Sequence, residues 1–381
     1  MRIAAIDVGN DALKGYFGGL DEHMYIPNVI AEEDEERQTY DYEKSILNGL
    51  HVEIASSSLD RGKGIYAVGS LAATKQFNDE LTSNSEKASS DQTLVMLLTS
   101  LAVDATKHFK EENGVIEATY FLSTGLPLDE TKKKRRKQFQ EKLLHSQHEI
   151  TFLQTPLVQG KKVRIKFKDV LVNIEGFGAF IDLTTHENGA TKNEEMLERT
   201  VLINDIGGIS TDSAVINPNG DIDNNASIGI DEGISTYLDE IAEKVYDEYK
   251  YEFRSRPLVA NVLTGKNHER KNHIKVDGKP VSIQSIVDPV LTRAAKTQYK
   301  HIQKIWRTAP SLDDAYLIGG GSLLLKPYLE RINEQENEFP LHFVGETDEQ
   351  EAVWTIARAY YKLLHIYANQ KNITLDAAAG E

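Results

Sequence analysis

The sequence predicts an α/β protein, and two observations carry that prediction. Short apolar runs of strand length alternate along the chain with longer stretches in which apolar residues recur every three or four positions. Such alternation is typical of sheets that are covered by helices. The chain has 381 residues, which is too long for one small hydrophobic core, so we expect two domains.

Six apolar runs are the predicted strands, and two periodic stretches are the predicted helices. The strands cover Ile3–Ile6, Tyr120–Leu122, Val163–Phe167, Val201–Ile206, Ser213–Ile216 and Ala315–Ile318. The first helix has one apolar face, formed by Leu94, Leu97, Leu98, Leu101, Ala105 and Phe109. The second has a similar face, formed by Ile234, Leu238, Ile241, Val245 and Tyr249. Apolar side chains at this spacing pack one side of a helix against a core.

Composition and charge exclude several classes of function. The formal net charge of −16 argues against direct binding to nucleic acid, which requires clustered Lys and Arg. The chain has no cysteine, which excludes disulfides, thiolate zinc sites and a cysteine nucleophile. No stretch reaches the roughly 18 apolar residues that a membrane span needs. We therefore expect a cytoplasmic protein that does not bind membranes.

Four segments are predicted to be loops, small inserts or an exposed helix face. We expect Glu32–Glu36 and Asn78–Asp91 to be exposed loops or a variable insert, and Pro257–Pro289 to be a second small insert. The basic run Lys132–Lys137 is predicted to lie on the exposed face of a helix. The alternative for this run is contact with an acidic surface of another copy of the chain, since opposite charges steer association.

The first predicted strand ends on a carboxylate. Asp7 follows the apolar run, and Gly9, Asn10 and Lys14 come next. An unpaired charge is costly to bury, so Asp7 needs solvent, a cation or a bound metal. Taken alone, this stretch is more typical of a hairpin turn than of a binding site, because Asp, Asn and Gly are ordinary turn residues.

Two further predicted strands are also followed by glycine turns. One ends at Asp205 and is followed by Gly207–Gly208 and by the hydroxyl residues Ser210–Thr211. The other is followed by Gly319–Gly321 and then by Ser322, which is a candidate N-cap for a helix. The first two turns carry an acid, whereas the third does not.

Three such turns together predict a nucleotide site rather than three ordinary turns. Glycine lets the backbone approach a ligand and direct several N–H groups at one anion. Asp7 and Asp205 supply the hard oxygen ligands that a hydrated Mg²⁺ prefers, and Lys14 supplies a positive charge for phosphate. The third turn suits a neutral group such as a base or a ribose. The sequence has no P-loop motif, and no G-x-G-x-x-G follows the first strand.

In this order, the three turns resemble the phosphate 1, phosphate 2 and adenosine motifs of the superfamily of actins, heat-shock chaperones and sugar kinases. The likeness extends over nearly the whole chain, and it is most similar to the bacterial plasmid-partitioning actins of the ParM type. The segments that carry it are IDVGNDALKGYF, YFLSTGLPLDETKKKRRKQFQEKL, VRIKFKDVLVNIEGFGAF, INDIGGISTD and SIGIDEGISTYLDEI.

The resemblance implies an actin-like fold of two related domains, each with a central mixed β-sheet flanked by helices, and a nucleotide in the cleft between them. Domain I would cover 1–198, with a small insert at roughly 28–92, and would be rejoined by a C-terminal helix at 349–370. Domain II would cover 199–348, with an insert at roughly 236–300.

The resemblance also implies the roles of single residues. Asp7 and Asp205 would hold the water shell of Mg²⁺, and Glu175 would position the attacking water, so Glu175 and Asp205 are the catalytic candidates. The residues that would contact the phosphates are Gly9, Asn10, Lys14, Gly207, Gly208, Ile209 and Ser210. The residues that would lie against adenosine are Gly319, Gly320 and Gly321. Without the family, Glu175 would be interpreted as an exposed helix residue.

The function that the resemblance implies is an actin-like ATPase that polymerises into dynamic filaments when it binds ATP, with GTP left open as the nucleotide. Its partners would be further copies of the same chain and a DNA-binding adaptor protein, through which it would segregate plasmid DNA. One alternative is a small-molecule kinase of the same superfamily that acts on a sugar or an acid. Another is a non-enzymatic switch similar to a chaperone.

Overall fold

The computed structural model describes residues 1–34, 45–80, 86–187, 189–218, 220–265, 270–336, 338–345 and 349–371, together with 373 and 375; at 349–352 it describes the backbone alone. The chain forms two compact units. Unit 1 contains Met1–Lys192 and Ile356–Glu381, and unit 2 contains Asn193–Thr355. The predicted domain ranges, 1–198 with 349–370 and 199–348, stay predictions.

Unit 1 is built on one large mixed sheet. Its strands are β1 (Arg2–Val8), β2 (Ala12–Phe17), β3 (Gly19–Pro27), β4 (Val29–Glu32), β5 (His51–Ser56), β6 (Lys63–Val68), β7 (Asp79–Glu80), β8 (Glu111–Glu112), β9 (Val115–Leu126), β10 (His148–Phe152) and β11 (Lys162–Ile174). The strand order is β3-β2-β1-β9-β11-β10-β5-β6-β4-β7, and β8 pairs with β9. β1, β9 and β11 are parallel neighbours, so their carboxyl ends meet at one edge of the sheet.

Helices cover both faces of this sheet. They are α1 (Ser70–Ala73), α2 (Asp91–His108), α3 (Leu128–Lys132), α4 (Arg135–Leu144) and α5 (Glu175–Thr184). A further helix, α11 (Glu349–Gln370), enters unit 1 at Ile356. α2 belongs to the main core, which includes Ala4 and Ile6 of β1, whereas Leu364 of α11 packs with Ile3 of the same strand. Successive strand residues point to opposite faces, so these two helices lie on opposite sides of the sheet.

Unit 2 repeats the scheme on a smaller scale. Its strands are β12 (Val201–Ile206), β13 (Thr211–Ile216), β14 (His273–Val276), β15 (Lys279–Ser282), β16 (Asp314–Ile318) and β17 (Leu341–Phe343). Its helices are α6 (Glu194–Leu197), α7 (Ser235–Tyr249), α8 (Arg256–Thr264), α9 (Gln284–Thr308) and α10 (Gly320–Glu336). The main sheet has the order β13-β12-β16-β17, and β12 and β16 run parallel. Helices α7 to α10 bury their apolar faces in one core with this sheet.

The predicted α/β class is confirmed, and all six predicted strands lie within observed strands. Both predicted helices are present as α2 and α7. The prediction of a single apolar face for α2 is wrong in extent, because the helix is buried on all sides from Gln92 to Ala105. Within the described residues, no helix is both long enough and apolar enough to cross a bilayer.

Two predictions about polar segments are wrong in part. The segment Asn78–Asp91 is not simply an exposed loop, since Lys87 and Ala88 are buried; its residues 81–85 lie outside the described residues. The run Lys132–Lys137 does not lie on one helix, because α3 ends within it and α4 begins within it, although most of its residues are exposed. Of Glu32–Glu36, residues 35 and 36 also lie outside the described residues.

Candidate functional site

The first acidic turn is a hairpin that joins β1 to β2. Asp7 and Lys14 are direct partners across it, and the Lys14 Nζ lies 3.6 Å from the buried Asp7 carboxylate. A Cβ added to Gly9 would lie 2.9 Å from the carbonyl oxygen of Ala12, so only glycine fits without a shift. The hairpin expected from local sequence is thus present, and it brings the acid, the glycine and the lysine together.

Two amide side chains that the sequence analysis missed hold this turn in place. The Asn28 Nδ2 donates to the carbonyl oxygen of Gly9 at 2.8 Å, and the Asn28 backbone N–H donates to Asp11 at 2.9 Å. The Gln92 Nε2 of α2 donates in turn to the Asn28 Oδ1 at 3.0 Å. Both amides are buried, so they hold the turn on the side that faces the core.

Glu175 lies at the same edge of the unit 1 sheet as Asp7. It follows the last residue of β11 directly and is the first residue of α5. One strand, β9, separates β11 from β1, so the two acids stand on strands about 10 Å apart. Glu175 is buried, which makes its interpretation as an exposed helix residue wrong.

Lys87 is the partner of Glu175, and sequence reasoning missed it. Its Nζ lies 2.6 Å from the Glu175 Oε1, and both side chains are buried. The carboxylate of Glu130 accepts hydrogen bonds from the backbone N–H groups of Lys87 and Ala88, at 2.8 and 2.9 Å. A buried charge requires such a partner, so the pair explains how both groups are accommodated.

In unit 2, the second and third turns are neighbours. Asp205 pairs in register with Ile318, because β12 and β16 run parallel, so both turns leave the sheet at the same edge. Gly319 has φ +83°, and a Cβ there would lie 2.3 Å from the Asp205 Oδ1. A Cβ on Gly321 would lie 2.7 Å from the carbonyl oxygen of Ile206. These glycines allow the third turn to pack against the second.

The second turn presents backbone donors. Its first amide, that of Gly207, donates to the carbonyl oxygen of Ser210 at 3.0 Å and closes the turn. Within the described residues, no backbone carbonyl accepts from the N–H groups of Gly208, Ile209 and Ser210. Consecutive N–H groups of this kind form a concave donor surface that suits an anion.

Gly233 is a further residue of this site that the sequence analysis did not assign. A Cβ on Gly233 would lie 2.2 Å from the carbonyl oxygen of Gly208. The next two residues, Ile234 and Ser235, donate to the carbonyl oxygens of Gly207 and Gly208 at 3.0 and 2.6 Å. The start of α7 therefore fixes the carbonyl side of the second turn. Gly233 lies within the segment SIGIDEGISTYLDEI, but its role in the site is evident only from its close approach to Gly208 in the structure.

Ser322 does not have its predicted place. It is the third residue of α10 rather than the N-cap, because the helix begins at Gly320. Its buried Oγ donates to the carbonyl oxygen of Gly319 at 2.8 Å. The residue stabilises the third turn from inside the helix.

In the part of the chain that the structure describes, one cluster of possible metal ligands lies away from these turns, at Glu22, Asp104 and His108. Arg2 already occupies it, since its guanidinium lies 2.9 Å from Asp104 and 2.5 Å from Glu22. A resident cation there disfavours a metal ion.

Two models of known protein families match the chain over segments that contain these three turns. The family of actin-like protein N-terminal domains matches residues 5–178, and the family of MreB-like C-terminal domains of archaeal actin homologues matches residues 203–331. The chain belongs to the actin-like proteins. Its predicted resemblance to that family is confirmed. Among the curated proteins, none matches the sequence.

Solved structures of actin-like proteins have the same fold. ParM of Bacillus thuringiensis with ATP has a TM-score of 0.71 and 24% identity, and the alignment covers 98% of this chain and 100% of that one. The actin-like protein Alp7A has a TM-score of 0.77 and 16% identity, with 97% of each chain covered. An archaeal actin homologue has a TM-score of 0.68 and 17% identity, covering 95% of this chain and 99% of that one. The predicted actin-like fold is therefore confirmed.

Proposed function

We propose that this actin-like protein hydrolyses ATP. The observation that carries the proposal is the packing of the Asp205 turn against the Gly319 turn. This packing brings together an acid, two closely packed stretches of backbone and, within the described residues, N–H groups that donate to no backbone carbonyl. Structures of the similar ParM from Bacillus thuringiensis contain ATP, ADP and AMPPNP, which supports a nucleoside triphosphate as the ligand. GTP is the alternative nucleotide.

Each turn has a role in this proposal. The amides of Gly208, Ile209 and Ser210 bind phosphate oxygens, and Gly319, Gly320 and Gly321 lie against the nucleoside. Gly9, Asn10 and Lys14 contact phosphates from the first hairpin, where the ammonium of Lys14 attracts their negative charge. The carboxylates of Asp7 and Asp205 fit a hydrated Mg²⁺, which prefers hard oxygen ligands and keeps several waters. When bound, the ion offsets phosphate charge.

Glu175 performs the acid–base step. Its carboxylate orients a water and accepts the proton as the water oxygen bonds to the γ-phosphorus. The bond from that phosphorus to the β-phosphate oxygen breaks, and ADP and inorganic phosphate are released. Its place at the carboxyl end of β11, at the same sheet edge as Asp7, supports this role.

We infer further that ATP drives assembly into filaments. One similar chain is a ParM that four substitutions made non-polymerisable, which supports assembly as the ordinary behaviour of that protein. On the same resemblance, we propose that a DNA-binding adaptor links the filament to plasmid DNA in the cytoplasm. The domains would be 1–198 with 349–370 and 199–348.

Hydrolysis and assembly test this proposal together. Purified protein is mixed with ATP or GTP and Mg²⁺, and phosphate release, light scattering and electron micrographs are recorded. We expect ATP-dependent filaments, loss of hydrolysis in Asp7→Ala, and assembly with about 100-fold slower hydrolysis in Glu175→Gln. Glu117→Gln, which changes an exposed ion pair with Arg164, is the matched control.

Two results would contradict it. Binding of ATP without assembly at any protein or salt concentration would exclude the filament, and hydrolysis that survives Asp7→Ala would exclude the assigned site. Phosphate transfer to a sugar or an acid would favour the kinase instead.

A further inference from the structure

Lys87 is a buried cation that the proposed reaction does not yet use. Its side chain is 6% exposed, and its Nζ lies 2.6 Å from the Glu175 Oε1. Lysine is rarely buried without a partner, and the Glu175 carboxylate, 10% exposed, is one such partner here. The two residues stand 88 positions apart in the chain, so the contact is a product of the fold.

The backbone at Lys87 and Ala88 is hydrogen-bonded to the carboxylate of Glu130. Both carboxylate oxygens of Glu130 accept from it, one from the N–H of Lys87 and the other from that of Ala88. Glu130 is itself buried in the short helix α3. Charge-assisted hydrogen bonds of this kind are stronger than neutral ones, so the start of the Lys87 side chain has a fixed position.

The preceding residue is held by the same part of the chain. Glu86 forms ion pairs with Lys133 at 3.1 Å and with Arg135 at 3.2 Å, and the hydrogen bond from Lys133 lowers the pKa of Glu86. These two cations belong to the basic run that the sequence analysis singled out. The run therefore contributes to the anchoring of segment 86–88 within its own chain.

This anchoring has a consequence for Glu175. A carboxylate in a poorly solvated position tends to take up a proton, and a neutral acid cannot accept a second one from water. A nearby cation opposes that tendency and favours the charged form. A fixed cation also restricts the direction in which the carboxylate points, and geometry to within about 1 Å decides the rate of such steps.

We propose that Lys87 is a positioning residue for ATP hydrolysis, which holds Glu175 charged and oriented for the attacking water; this inference rests on the proposed function. Lys87 acts through Glu175 and not on the nucleotide. Its loss is therefore expected to lower kcat and to leave the KM for ATP unchanged.

A double-mutant cycle tests this. The kcat and KM for ATP are measured for the full chain with Lys87→Met, Glu175→Gln and both together. We expect Lys87→Met to lower kcat at least about ten-fold, within the roughly 100-fold that a positioned base contributes. In the E175Q background the same change has no further effect, because the group through which Lys87 acts is already neutral. Lys87→Arg restores most of kcat.

Lys63→Met is the matched control, because Lys63 forms an ion pair with Glu53 on the surface of the same unit and should leave kcat unchanged. An equal loss of kcat from Lys87→Met in both backgrounds, a rise in KM alone, or a faster reaction would overturn the inference. If Lys87→Met does not fold, Glu130→Gln replaces it in the cycle, since it loosens the backbone of Lys87 without leaving an unpaired buried charge. We then expect a several-fold loss of kcat that vanishes in the E175Q background, and an equal loss in both would overturn the inference.

Failure of this inference and failure of the proposed function give different results. A wild-type chain that does not hydrolyse ATP, or E175Q with full activity, contradicts the proposed function. Normal wild-type and E175Q behaviour combined with additive effects of Lys87→Met contradicts the role of Lys87 alone.

Discussion

At the scale of single residues, Gly319 carries two independent constraints. Its φ of +83° is in the region that side chains with a Cβ rarely adopt, and an added Cβ would lie 2.3 Å from the Asp205 Oδ1. Relaxing that contact would displace the carboxylate from the second turn. The residue therefore links the conformation of the third turn to the position of an acid in the second.

We expect Gly319→Ala to destabilise unit 2 by about 2–3 kcal/mol, since backbone strain and the close contact add. Urea unfolding followed by tryptophan fluorescence measures the change, because both tryptophans, Trp306 and Trp354, belong to unit 2 and Trp306 stacks on Phe339 at 4.4 Å. Gly278→Ala is the matched control: its φ is +76°, and a Cβ there would meet nothing within 4 Å. Equal losses in the two variants would show that the contact with Asp205 contributes nothing.

Local spacing explains why some residues of the site could be predicted and others could not. Asp7, Gly9 and Lys14 lie within eight positions of one another, and the acid–glycine turn after Val201–Ile206 is equally local. No local sequence pattern marks Lys87 or Asn28, because each contacts a residue that is distant in the sequence and is brought near only by the sheet. The short contacts of Gly233 also depend on how α7 returns to β12.

At the scale of elements, a buried ion cluster ties α5 to α11. Asp182, near the end of α5, accepts from the Arg358 Nη2 at 2.6 Å and lies 2.8 Å from the Lys362 Nζ. Burial lowers the pKa of Lys362, and Asp182 opposes that change. The same helix that starts with Glu175 is thus anchored at its other end by two cations.

We expect Asp182→Asn to destabilise unit 1 by about 3–5 kcal/mol, because it leaves two positive charges close together without their carboxylate. Hydrogen exchange of the β1 and β9 amides, read by mass spectrometry, reports on this unit. Glu117→Gln is the control; it breaks an exposed pair with Arg164 and should cost about 1 kcal/mol or less. Similar protection in both variants would contradict a structural role for the cluster.

The strands that can be predicted from the sequence are those with a continuous apolar run. The strands that cannot be predicted lack such a run. Runs such as Val201–Ile206, buried at most positions, were recognisable as β12. β3 was missed because exposed polar residues occupy its middle. β5 and β6 were missed because Glu53 interrupts the apolar residues of β5, and those of β6 begin only after Lys63 and Gly64. Such strands owe their structure to their neighbours in the sheet rather than to their own composition.

At the scale of the whole molecule, buried histidines make stability depend on pH. Burial lowers the pKa of His301 in unit 2 from 6.5 to about 4, while Lys304 adds to the effect and a hydrogen bond with Ile228 opposes it. Burial also lowers the pKa of His148 in unit 1. Each ring takes up a proton more readily in the unfolded chain than in the folded one.

We expect the free energy of unfolding of unit 2 to fall as the pH decreases from about 6.5 towards 4, by up to about 3 kcal/mol from His301. Above pH 6.5 the contribution is complete, since the histidine is neutral in both states. Urea titrations at pH 7, 6 and 5, followed by tryptophan fluorescence, measure the slope. His301→Gln should flatten it, whereas the control His273→Gln, on the hairpin strand β14 of the same unit, should not. A slope that His301→Gln leaves intact would refute the assignment.

The contact of Gly233 with the second turn has a mechanical consequence. Because the carbonyl oxygens of Gly207 and Gly208 are bonded to Ile234 and Ser235, that turn cannot be displaced without moving the start of α7. α7 has 15 residues, which corresponds to a rod about 22 Å long. A small tilt of the α7 axis at the turn therefore produces a larger displacement at the other end of the helix. Under the proposed function, loss of the γ-phosphate from that turn would therefore displace Tyr249, at the other end of the helix.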